Sequence, residues 1–171
     1  MDEQQRIGLV TDLVEQHYAM LYRYAYRLSG SASDAEDLTQ QTFLTAQSKI
    51  GQLRDPTHAK GWLCAVLRNQ YLKSKRSAHA RLMTTLDHFP EPSDPTAENL
   101  SFDSEELQSA INEMPEEFRT PIILFYFEEF SYQQIADQMG VPIGTIMSRL
   151  ARAKASLRGR LSAREPALMD R

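Results

Sequence analysis

A run of cations at helical spacing, in residues 141–154, is the part of this sequence best suited to chemistry. The segment VPIGTIMSRLARAK begins with small turn-forming residues and continues with apolar residues three and four positions apart, Ile143, Ile146 and Leu150. Arg149, Arg152 and Lys154 lie on the flank of this predicted helix. Arginine forms paired hydrogen bonds with base edges and ion pairs with phosphate, so the predicted chemistry is recognition of a polyanion. A solvated basic helix in a bundle is the alternative.

A second, shorter helix is predicted immediately upstream of this segment. Ser131 and Gln134 have the spacing of a capping box, which marks a helix start, and Gly140 is placed to end the helix. Two helices joined by so tight a turn form a helix-turn-helix motif, whose second helix enters the DNA major groove. The predicted site is therefore a DNA-reading helix.

The sequence contains no arrangement of residues that predicts catalysis or metal binding. The four histidines, His17, His58, His79 and His88, lack ligand spacing. Cys64 has apolar neighbours at helical spacing and is predicted to fill core space. No Ser/His/Asp constellation is present, so a hydrolase is a weak alternative. We predict no enzyme activity, no cofactor and no metal.

Charge is distributed unevenly along the 171 residues, whose net charge is −4. Residues 54–81 carry seven Lys/Arg against one acid, and residues 139–171 carry seven against two; the intervening 82–138 carry one against thirteen. Two basic blocks predict two separate polyanion contacts. With one cysteine, no apolar run of membrane length and no signal peptide, the sequence predicts a cytoplasmic protein without membrane insertion.

The N-terminal part is predicted to form three helices. The first spans about 9–28, with Val10, Val14, Tyr18, Leu21, Ala25 and Leu28 as its buried stripe. The second begins at a capping box of Ser33 and Glu36 and turns Ala35, Leu38, Thr42, Phe43 and Ala46 inward. The third, about 57–77, follows a loop that ends at Pro56 and carries Lys60, Arg68 and Lys75 on one side.

Residues 81–103 are acidic and rich in proline, and we predict that they form a flexible linker. The linker separates a domain at 8–80 from one at 104–164. In the second domain the apolar run 122–127 is interpreted as helix rather than strand from its all-helical context, with Pro121 kinking or interrupting it. The predicted fold is all-α, with two small helical domains, the second carrying the helix-turn-helix.

Three stretches of the chain resemble the bacterial extracytoplasmic-function (ECF) sigma factors. The first combines LYRYAYRL at 21–28 with DAEDLTQQTF at 34–43, the second is GWLCAVLRN at 61–69, and the third joins MPEEFR at 114–119, SYQQIA at 131–136 and GTIMSRLARA at 144–153. Together they span nearly the whole chain outside the linker. The resemblance implies core RNA polymerase and promoter DNA as partners, an anti-sigma factor as a further partner, and no catalytic residue in this chain.

The resemblance also implies a role for particular residues. For contact with core polymerase it implies the polar face of the second helix, made of Asp34, Asp37, Gln40 and Gln41. For the −10 element it implies the 52–58 loop, which would receive a flipped-out base, and the basic helix after it, through Arg54, His58, Arg68, Asn69, Lys73, Lys75 and Arg76. For the −35 element it implies Gly144, Thr145, Ser148, Arg149, Arg152 and Lys154. A stand-alone helix-turn-helix regulator that binds DNA as a dimer remains the alternative, although it leaves residues 34–76 without a role.

Overall fold

The computed structural model describes residues 1–84 and 102–164, and within these ranges the fold is all-α, as predicted. Seven α-helices follow one another, together with 3-10 turns at Ile50–Gln52 and Pro56–His58. The helices are α1 (Glu3–Ser29), α2 (Ala32–Lys49), α3 (Ala59–Thr84), α4 (Phe102–Asn112), α5 (Glu116–Tyr126), α6 (Tyr132–Met139) and α7 (Ile143–Arg164). They form two compact units, one from α1–α3 and one from α4–α7.

The predicted linker lies mostly outside the described residues. Helix α3 continues to Thr84 and α4 begins at Phe102, so both helices extend into the 81–103 segment. Residues 85–101 are not described. The assignment of a flexible linker, and of the domain boundaries at its two ends, remains a prediction.

Helix α1 packs against α2 through a stripe that differs in part from the predicted one. Leu21, Ala25 and Leu28 are buried as expected. The prediction for Tyr18 is wrong, since its side chain is 44% exposed and stacks on the ring of Phe43 at a centroid distance of 6.3 Å. On the side of α1 that faces the core, Leu13, Met20 and Tyr24 are buried instead. The inward residues predicted for α2 are all buried.

The start of α2 lies two residues before the predicted capping box. Ser31, not Ser33, is the N-cap: its side-chain oxygen accepts a hydrogen bond from the Asp34 backbone N–H at 3.3 Å. Ser33 is exposed within the first turn. The helix starts earlier because Gly30, with φ +73°, ends α1 and leaves a single connecting residue before α2.

The Ser31→Ala variant should lower the free energy of unfolding of the N-terminal unit by about 1 kcal/mol, the usual cost of losing an N-cap oxygen. Ser33→Ala is the matched control and should change it by less than about 0.5 kcal/mol. Denaturant unfolding followed by tryptophan fluorescence isolates this unit, because Trp62 is the chain's one tryptophan and belongs to α3. Equal losses for the two variants would contradict the Ser31 cap.

Helix α3 completes the N-terminal core with Leu63, Cys64, Leu67 and Tyr71. Cys64 fills core space as predicted, with its Sγ 3.8 Å from Met20 Sδ. Trp62 and Val66 are half-buried. The basic side chains of α3 occupy the helix positions outside this core.

In the C-terminal unit, α7 packs against α4, α5 and α6, and α5 is apolar over 122–124. The helical interpretation of this run is correct through Tyr126, but the predicted interruption at Pro121 is wrong, since α5 is continuous from Glu116 to Tyr126. Pro121 removes the one N–H that would bond the Glu117 carbonyl. Burial of Pro121, Ile122, Ile123 and Leu124 offsets that loss.

Arg119 is the single Lys/Arg of the acidic 82–138 block. Its side chain has a structural role. Its guanidinium donates hydrogen bonds to the backbone carbonyls of Ile111 at 3.1 Å, Asn112 at 2.7 Å and Met114 at 2.8 Å. These carbonyls lie at the C-terminal end of α4, where a cation is favoured by the helix dipole. Arg119 therefore joins α5 to α4 and is not available as a DNA contact.

No helix among the described residues combines the length and the apolar character that crossing a membrane requires.

Candidate nucleic-acid interface

Helices α6 and α7 form the predicted helix-turn-helix. The capping box is present in full, since Ser131 accepts from the Gln134 N–H at 3.1 Å and the Gln134 side chain accepts from the Ser131 N–H at 2.9 Å. Gly140, with φ +65°, ends α6 and donates its N–H to the Ala136 carbonyl. A left-handed residue is needed at this position, and glycine adopts it without a Cβ penalty. Helix α7 therefore begins only three residues later, at Ile143.

One side of α7 is held in the core of the C-terminal unit. Ile146, Leu150 and Ala153 are buried against the other helices of that unit. Ile143, which has helical spacing with Ile146 and Leu150, is 42% exposed and is not fully buried with them. The opposite side of α7 faces solvent.

The predicted −35 contacts occupy different positions on α7. Gly144, Ser148, Arg152 and Lys154 are exposed, whereas Thr145 and Arg149 are half-buried. The Thr145 backbone N–H bonds the Pro142 carbonyl at 3.0 Å, in the first turn of the helix. Gly144, Ser148 and Arg152, four residues apart, follow one another along one exposed side of α7, and Lys154 is exposed on another side.

The two arginines and the lysine differ in how the C-terminal unit holds them. Arg149 is 22% exposed, and its Nη2 lies 3.8 Å from Glu117 Oε2 on α5. The Arg152 guanidinium lies over the Phe118 ring at 5.1 Å, and Lys154 Nζ lies over the Tyr126 ring at 5.7 Å. A cation over an aromatic face retains its hydrogen-bond donors. Arg152, which is exposed, is better placed to bond a base than Arg149, which is mostly buried beside the Glu117 carboxylate.

In the N-terminal unit the predicted −10 loop has a defined conformation. Asp55 caps the Pro56–His58 turn by accepting a hydrogen bond from the Thr57 N–H at 2.9 Å, and its Oδ2 lies 3.2 Å from His58 Nδ1. The backbone hydrogen bond from Thr57, with a smaller contribution from His58, lowers the pKa of the Asp55 carboxyl. Arg54 and His58 are both exposed. The loop thus presents polar side chains on a short, ordered backbone.

Helix α3 carries the remaining predicted −10 contacts. Lys73, Lys75, Arg76 and Asn69 are exposed, and Arg68 is half-buried. Lys75 Nζ lies over the Tyr71 ring at 5.5 Å. The exposed cations therefore form a basic surface along the second half of the helix.

The predicted polymerase face of α2 is exposed at all four positions, Asp34, Asp37, Gln40 and Gln41. An open groove of about 750 Å³ separates this face from Lys73 and Lys75 on α3. The structure adds Leu44, whose side chain is 58% exposed. Leu44 lies seven residues after Asp37 and three after Gln41, so it shares their face. The sequence already contained this signal, because the spacing places an apolar residue on a polar helix face.

Among the described residues, no group of three or more His, Cys, Asp or Glu side chains is arranged to hold a metal ion.

Comparison with known protein families matches both units. Residues 13–81 match the family Sigma-70 region 2, and residues 104–157 match Sigma-70, region 4. The chain is 38% identical to the ECF RNA polymerase sigma factor SigE of Mycolicibacterium smegmatis, over 88% of this chain and 61% of SigE. It is 36% identical to the ECF RNA polymerase sigma factor SigL of Mycobacterium tuberculosis, over 88% of each chain.

A solved structure has the same fold. The sigma factor RpoE of Bartonella quintana, crystallised in complex with the anti-sigma factor NepR, superposes with a TM-score of 0.75 and 28% identity, over 95% of this chain and 97% of RpoE. With regions 2 and 4 both matched, the chain belongs to the sigma-70 family of RNA polymerase sigma factors. Within that family it is an ECF sigma factor.

Proposed function

We propose that this chain directs core RNA polymerase to specific promoters, with α7 as the helix that reads the −35 element. The observation that carries the proposal is the helix-turn-helix itself: the second helix of the pair exposes Ser148 and Arg152 one turn apart on the same side, and exposes Lys154 on a different side. In this motif the second helix enters the major groove, and an arginine there bonds guanine through O6 and N7. Gly144 and Thr145, at the helix start, lie near the DNA backbone.

The N-terminal unit binds the polymerase and the −10 element in this proposal. The polar face of α2 contacts the polymerase, and Leu44 extends that contact with apolar area. The ordered loop with Arg54 and His58 receives a base flipped out of the −10 element. Lys73, Lys75 and Arg76 then follow the phosphates of the melted strand, and Arg68 and Asn69 lie beside it. The groove between α2 and α3 separates the two surfaces.

The chain contributes binding rather than bond-making in this proposal, and the polymerase performs the chemistry in the cytoplasm. An anti-sigma factor is a further partner, because the similar RpoE structure contains the anti-sigma factor NepR. No residue of the chain is assigned a catalytic role.

Run-off transcription with purified core polymerase on genomic fragments tests the function. We expect discrete start sites with the chain present and none with core polymerase alone. The free chain should bind the same promoters weakly in physiological salt, because both basic surfaces are small and the acidic 82–138 segment repels DNA. Tight, sequence-specific binding by a free dimer, seen in gel filtration and mobility shift, would favour the stand-alone regulator instead.

A further inference from the structure

An exposed apolar ridge runs along the beginning of α7. Ile143 is 42% exposed and Met147, one helical turn later, is 52% exposed. Ala151, one further turn along, is exposed as well. The core contacts of the helix are made by Ile146 and Leu150, whose buried stripe borders the ridge. The ridge of Ile143, Met147 and Ala151 therefore lies at the edge of the core stripe and is open to solvent along one side.

The position of the ridge determines what it can contact on DNA. Residues in the N-terminal part of the second helix of a helix-turn-helix reach base edges in the major groove. Neither Ile143 nor Met147 has a hydrogen-bond donor. The apolar group that base pairs present in this groove is the 5-methyl of thymine. Met147, unbranched and flexible, is the longer of the two side chains and fits such a contact.

The charges beside the ridge favour DNA over an apolar protein surface. Lys154 and Arg158 are exposed at seven and eleven residues after Met147, which places them on the same side of α7. Gly144 and Ser148, the exposed residues next to the ridge, are small. Small side chains let the helix approach the groove floor while the two cations lie near phosphates.

We propose that Met147, with Ile143 beside it, packs against the 5-methyl group of a thymine in the −35 element and thereby selects thymine at that position. The inference rests on the proposed function and deepens it by naming a base that the arginines do not read. Met147 is then a specificity-determining residue of promoter recognition.

The test uses the holoenzyme, formed from the full chain and core polymerase, and a −35 duplex that it selects from a randomised library. Each thymine of that duplex is replaced in turn by uracil, which removes the methyl group and keeps every hydrogen-bonding group. One replacement should lower wild-type affinity about fourfold, the ratio expected for losing one buried methyl-sized group. With Met147→Ala, the same replacement should leave affinity unchanged.

Two further variants separate the contact from a change in folding. Met147→Leu retains an apolar side chain and should keep the uracil response, whereas Met147→Gln, of similar length, should lose it. Because Met147 is half-exposed, all three variants should match the wild type in thermal unfolding.

Several outcomes would overturn the proposal. One is that no thymine responds to uracil replacement in the wild type; another is that the response survives in Met147→Ala. Loss of affinity for core polymerase, with DNA preference unchanged, would make the ridge a protein contact. A wild-type holoenzyme that initiates at promoters but shows none of the expected response overturns the inference alone. A holoenzyme that selects no −35 sequence overturns the proposed function itself.

Discussion

The double variant Asp37→Lys/Leu44→Ala should bind core polymerase about 30-fold or more weakly than the wild type, and transcription from every promoter should fall with it. The loss of a single interface anchor costs about 2 kcal/mol or more, which corresponds to about 30-fold in affinity and sets the lower bound for the double variant. Leu44 offers exposed apolar area at the C-terminal end of the polar face of α2, and Asp37 lies on the same face two turns earlier. The variant removes the first and reverses the charge of the second. Pull-down with purified core polymerase measures the affinity directly.

Both side chains are exposed, so the double variant should retain the helix content and unfolding transition of the wild type. Asp12→Lys is the matched control, because it reverses an exposed acid on α1. It should bind polymerase as the wild type does. Undiminished binding by the double variant would remove the polymerase contact from this face of α2.

Arg152→Ala should reduce initiation at −35-dependent promoters by roughly tenfold or more, since an arginine that bonds a base edge contributes about 1–3 kcal/mol of discrimination. Arg149→Ala should have a smaller effect, because the Arg149 side chain is mostly buried and pairs with Glu117. Both variants should retain polymerase binding, because the proposed polymerase contact is on α2, in the other unit. Promoter output in single-round transcription, with polymerase binding measured in parallel, gives the comparison.

The pattern of the loss identifies what Arg152 contacts. If it reads a base, Arg152→Ala relaxes preference at one promoter position; if it contacts phosphate, all sequences weaken alike and the salt dependence becomes shallower. A larger loss for Arg149→Ala than for Arg152→Ala would mean that the Glu117 pair opens on DNA. Unchanged output in both variants would exclude this side of α7 from promoter recognition.

The sequence correctly predicted the features that depend on residues close to one another along the chain. The Ser131–Gln134 capping box and the left-handed Gly140 depend on residues within one or two turns, and both are present as predicted. The inward residues of α2 follow from helical periodicity alone. The cap of α2 was misplaced because Ser31 and Ser33 carry the same oxygen. The choice between them depends on where α1 ends, at Gly30.

The sequence by itself determined the all-α fold, the helix-turn-helix and the positions of its cations, because periodicity and capping are encoded within a few residues. Tertiary structure decided which of these side chains remain available. Packing of α5 against α7 holds Arg149 beside Glu117 and leaves Arg152 over Phe118. Both arginines look equivalent in sequence, since their difference arises from a helix thirty residues away along the chain. Exposure of Ile143 has the same origin, because burial depends on which neighbouring helix reaches a given turn.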